Sequence, residues 1–176
     1  ESAFAGVEKT VDGTTEQLAA LRQGILDMAE EIPASTTEIA AVAEAAGQLG
    51  IATDDVLDFT RVMIDLGEAT NLSADEAASA LAKFANITGT TADEYSKLGS
   101  TIDDLGNNFA TTERDIVEMA TRLASAGTVA GLSEQDILAL STAMSSVGIN
   151  AEAGGTAMTQ TMTAISKAVS AGGDDL

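Results

Sequence analysis

Histidine and cysteine are both absent from the 176 residues. Without histidine the chain cannot assemble a Ser-His-Asp or Cys-His catalytic set or the usual zinc ligand sets. Without cysteine it has no disulfide and no thiolate metal site, and the redox compartment stays open. Proline occurs once, at Pro33, and aromatic residues make up 3% of the chain. Basic residues are scarce: eight stand against 28 acids, for a formal charge of −20. Phosphate backbones and anionic lipid head groups are recognised by Lys/Arg clusters, so specific nucleic-acid binding is not expected. Long apolar runs are missing too. Stretches such as Ile39 to Ala43 fall far short of the ~20 residues that cross a bilayer. There is no initiator Met, basic leader or signal-like apolar segment, and both ends are expected to be cuts from a longer polypeptide.

What is present is alanine, 33 residues of it, within a composition that is 45% hydrophobic. Alanine favours helices, whereas strands draw on β-branched and aromatic residues, so an all-α chain is expected. Helix starts are marked by a hydroxyl residue followed three positions later by an acid, the spacing that caps a free N–H. Ser35 and Glu38, Ser73 and Glu76, Thr91 and Glu94, Thr112 and Asp115, and Ser133 and Asp136 all fit. Thr15 before Glu16, and Thr53 before Asp54 and Asp55, are looser versions. Gly50, Gly67, Gly89, Gly106, Gly127 and Gly148 stand where a left-handed residue would close each helix.

Between these marks apolar residues recur at three and four, one helical face at a time. The stripes are Leu18, Leu21, Ile25, Met28, Ile32; Ile39, Val42, Ala46, Leu49; Val56, Phe59, Met63, Leu66; and Ala77, Leu81, Phe84. They continue as Tyr95, Leu98, Ile102, Leu105, Phe109; Ile116, Met119, Leu123; Ile137, Leu140, Met144, Val147; and Met158, Met162, Ile165, Val169. The expected architecture is a compact multi-helix bundle of about eight short helices joined by tight Gly/Thr/Ser turns. Residues 1–176 read as a single helical segment with a possible sub-boundary near 106–112. The acids are spread along the chain, as a solvated outer face on every helix would have them.

Few residues suggest chemistry, and no catalytic, cofactor or metal site is expected. Ser166 and Lys167 are adjacent, but neighbours on a helix point about 100° apart and do not readily share a proton. The carboxylate pairs Asp54–Asp55, Asp103–Asp104 and Asp174–Asp175 sit mostly in first turns or at helix ends, where capping accounts for them. A calcium-loop register from Asp104 through Gly106 and Asn108 puts Phe109 where the turn glycine belongs and Asp115 in the last position, and fails. Gly154-Gly155 has no following Lys-Ser or Lys-Thr, so it is no phosphate loop, and a kink or a close helix contact is its expected use. Met158 and Met162 suit either a core or an adaptable protein-binding surface.

Four ordered blocks resemble the core region of the phage tail tape measure family. They are Ala45-Ala46-Gly47-Gln48-Leu49-Gly50-Ile51, the stretch from Phe59 to Gly89, the stretch from Leu98 to Gly127, and that from Ser145 to Met158. The likeness runs from about Phe4 to the C-terminus. It implies a virion structural protein of tailed phages or prophages that lies in the tail tube, sets tail length during assembly in the bacterial host cytoplasm, and leaves the tube at infection. The implied partners are other tail proteins at the tube lumen, tail tip or baseplate hub, and other copies of the chain. The resemblance carries over no catalytic residue, and the chain is expected not to be an enzyme. Because a ruler needs a fixed rise per residue, this punctuated segment is expected to be a docking module rather than the rod. The alternatives are a helical interaction scaffold unrelated to phage, and a cell-wall-degrading module using one of the glutamates.

Overall fold

The computed structural model describes residues 2–171. Among them the chain is all-α, with nine α-helices and no strand. These are α1 (Ser2–Thr10), α2 (Thr15–Glu31), α3 (Thr36–Gln48), α4 (Val56–Ala69), α5 (Ala74–Thr88), α6 (Tyr95–Asn108), α7 (Glu113–Val129), α8 (Glu134–Ser146) and α9 (Ala151–Ser170). Short 3-10 turns at Thr53–Asp55 and Ala92–Glu94 lead into α4 and α6. The expected eight become nine through α1, which has no capping signal ahead of it.

The capping signals act as read. Ser35, Ser73, Thr112 and Ser133 each accept the backbone N–H three residues on, at 3.1–3.2 Å. Thr91 does its capping on the 3-10 turn before α6. The cap of α2 is Thr14 instead of Thr15, because Gln17 can complete a reciprocal pair with Thr14. Thr53 caps nothing; its hydroxyl donates to the Asp12 carbonyl.

Half of the glycine stops need correction. Gly50, Gly89 and Gly148 do have positive φ, but Gly67, Gly106 and Gly127 lie inside α4, α6 and α7. Their role is closeness. A Cβ on Gly67 would stand 2.8 Å from the Ala74 backbone nitrogen, and one on Gly127 would stand 2.8 Å from Ile137 Cγ1. The helix α7 closes at Gly131, where the Leu132 N–H bonds the Gly127 carbonyl and the Gly131 N–H bonds the Thr128 carbonyl. The helices α3 and α8 end on the same double-bonded motif.

The chain forms two compact units. The first takes the chain through Lys83 together with Thr91–Asp103; the second takes Phe84–Thr90 and the chain from Asp104. In the first unit α3 packs on α1, α2 and α4. Gly47 makes the α1 contact possible, since a Cβ there would meet the Thr10 carbonyl carbon at 2.8 Å. Ile25, Ile39, Val56 and Phe59 are fully buried, and the Phe59 ring meets Tyr95 edge-on at 5.1 Å between centroids. In the second unit α7 is central, packing on α8 and α9 over Ile116, Met119, Leu123 and Ile137.

Candidate interaction surface

The second unit is built around a close helix pair. Gly154 and Gly155 are buried within a continuous α9, so the glycine pair makes a helix contact and does not break the helix. A Cβ on Gly154 would lie 2.9 Å from Met119 Cε, and one on Gly155 would lie 2.9 Å from Arg122 Cβ. Further along, Ser125, Ala126 and Val129 of α7 line an open groove of about 660 Å³ with Thr159, Met162 and Ser166 of α9. Both residue series rise in the same direction, so the two helices run parallel.

That offset has a consequence for the end of α9. With Gly154 at Met119 and Gly155 at Arg122, the last α7 residue, Val129, falls opposite roughly position 163. Ser166, Lys167, Ser170 and Ala171 of the final turns of α9 line the far end of the groove shared with α7. The stripe Met158, Met162, Ile165, Val169 is covered only over its first half. Met162 is buried and Met158 half-buried, whereas Ile165 is 52% and Val169 66% exposed. Val129, on the α7 side of the groove, is 82% exposed. Two other stripe ends, Phe109 and Val147, are likewise exposed because α6 and α8 stop just before them.

Charge singles out the same surface. The first unit holds 19 acids against five bases, the second nine against three, so the charge is less evenly spread than the sequence reading had it. No acid occurs from Met119 to Leu132 or from Ala153 to Ala171. The only ionised side chains there are Arg122, paired to Glu152 at 3.7 Å, and Lys167 on the groove wall. Sequence reasoning missed Val129 and the small groove residues, although the gap in acids was a visible signal.

The remaining candidates are not brought together into a site. Ser166 is half-buried and Lys167 exposed on successive positions of α9. Asp54 receives a hydrogen bond from Gln17 Nε2 at 3.2 Å, and Asp104 receives one from Asn108 Nδ2 at 2.9 Å. Asp104, Gly106 and Asn108 lie within α6, which rules out a calcium loop there. Asp174 and Asp175 lie outside the described residues. Among the described residues no three potential ligands cluster to hold a metal ion.

Several carboxylates are held below their ordinary range by capping. The cause is the Ser133 hydroxyl for Asp136, the Thr91 hydroxyl for Asp93, the Thr91 backbone for Glu94, and the Glu16 backbone for Glu16 itself. A general acid needs the opposite shift.

Short capped helices, with several carboxylates engaged in capping, define an all-α protein. The family model for phage-related minor tail protein matches residues 22–176, and the chain belongs to that family. It is therefore a structural component of the phage tail, with other tail proteins as its partners. No curated protein and no solved structure matches it. Among the described residues no helix is long and apolar enough to cross a membrane.

Proposed function

We propose that this segment is a folded docking module of a tape measure protein, one that anchors the measuring chain to other tail proteins while the length is set elsewhere. The observation that carries this is helix length. Among the described residues the longest helix, α9, has 20 residues and spans about 30 Å, and the others are shorter. A ruler adds a constant rise per residue, and a helix interrupted every dozen or so residues does not. The tape measure role itself rests on the four ordered sequence blocks, and it agrees with the minor tail family. Assembly in the host cytoplasm follows from the same reading.

Deleting the segment in frame from its gene and measuring tails by electron microscopy separates module from rod. A module predicts tails that fail to form, or that shorten by far less than the deleted length. Shortening in proportion, about 1.5 Å per residue removed, would show that the segment is part of the rod. The segment is also proposed to be non-catalytic. Cell-wall hydrolysis by the purified chain, lost on a single Glu→Gln change, would overturn that.

A further inference from the structure

We infer that α2–α5 and α6–α9 are two tandem copies of one four-helix repeat, and that each copy is completed by a helix belonging to the other. The caps mark the period. Thr14 and Thr91 each form a reciprocal pair with the residue three positions on, Ser35 and Thr112 cap α3 and α7, and Ser73 and Asn150 cap α5 and α9; each pair is 77 residues apart. Buried positions keep the same spacing. Leu21 and Leu98, Ile25 and Ile102, and Ile39 and Ile116 are all buried in both copies. An extra turn then enters in α7, so that Gly50 and Gly131, both with positive φ, stand 81 apart, four more and about one helical turn. At that spacing Val56 and Ile137, Thr60 and Ser141, and Met63 and Met144 are again buried alike. The extra turn is given back before α9, because Gly148 ends α8 whereas its equivalent, Gly67, lies inside α4.

The copies and the compact units do not coincide. The helix α6 opens the second copy as α2 opens the first, yet its first half, through Asp103, belongs to the first unit. There Tyr95 meets Phe59 of α4, and a Cβ on Gly99 would stand 3.1 Å from Val62 Cγ1. The helix α5 does the converse. It closes the first copy, but Phe84–Thr90 belongs to the second unit, where the Thr90 hydroxyl donates to the Glu134 carboxylate at the start of α8. Val7 of α1 and Phe84 are also 77 apart and both buried, so the end of α5 holds the place before the second copy that α1 holds before the first. Repeats that share helices in this way share stability through the joint. The dependence holds whether or not the chain sets tail length.

Hydrogen exchange of the whole chain, resolved helix by helix, tests it. Gly99→Val drives a wedge against Val62 without lowering the helix propensity of α6. Amides of α4, in the other copy, should exchange about tenfold faster, with those of α7–α9 unchanged. Gly99→Ala should give the same pattern to a smaller extent. Thr90→Val removes the donor to Glu134, and should speed exchange in α8 by about threefold while α3 and α4 stay as they were. Copies that fold separately would respond otherwise. Faster exchange in α7–α9 on Gly99→Val, or an α4 indifferent to it, overturns the proposal. So does an α8 indifferent to Thr90→Val, or an equal loss of protection across all helices.

Discussion

Tyr95 offers the cleanest single-residue readout, because the chain has one tyrosine and no tryptophan. Burial first, and the nearby Asp55 carboxylate second, raise its phenol above the ordinary value. A raised folded value means stability that is complete below the unfolded pKa of about 10 and is lost as pH rises through the folded one. The phenolate absorbance of the native chain should therefore appear at higher pH than that of the denatured chain. Coincident titrations would contradict the buried Phe59–Tyr95 contact.

Gly67 shows how a glycine can be legible as present but misread in purpose. Its position before a capping signal suggested a helix stop, yet close approach of Ala74 is what requires it. Sequence spacing cannot separate the two uses, since both put glycine near a helix end. Gly67→Ala should lower stability by about 1–3 kcal/mol in chemical denaturation despite alanine's better helix propensity, because backbone must move to admit the methyl. Thr60 is the converse case: fully buried in α4, its hydroxyl has no hydrogen-bond partner among the described residues. Thr60→Val removes that orphan at nearly constant volume, and the denaturation midpoint should stay level or rise by the equivalent of about 1 kcal/mol.

At the scale of elements the caps were the most legible feature, because the side chain and its target N–H are three residues apart and need nothing from the rest of the fold. Ser133→Ala should cost about 1 kcal/mol, read as a lower thermal midpoint. The ends of stripes were less legible. Val147 and Val169 keep the 3.6 period, but burial depends on a neighbouring helix reaching that far, which periodicity does not encode. The depressed carboxylates of Asp136 and Glu94 fix the sign of an acid response. Stability from a lowered carboxylate is present above its unfolded pKa of about 4 and disappears as pH falls through the folded value. Self-repulsion of the −20 chain eases over the milder acid range before that. Tm is expected to rise from pH 7 toward about 5 and to fall below about 4.

At the scale of the whole molecule, the all-α class was readable from alanine content and regular capping, both local properties. The uneven placement of charge between the two units was not. It emerges only when the chain is divided at Lys83 and Asp103, cuts that fall inside α5 and α6 and carry no turn signal. The α7–α9 groove was half legible for the same reason: its Met162 lies on a visible stripe, but the α7 residues that face it come from a separate stretch of sequence.

The claim that the segment is folded from short helices, and is not a length of measuring rod, is tested most directly by small-angle scattering from the isolated chain in dilute solution. A maximum dimension far below the roughly 260 Å of a continuous 176-residue helix is expected, with the profile of packed helices. A rod-like profile approaching that length would contradict it.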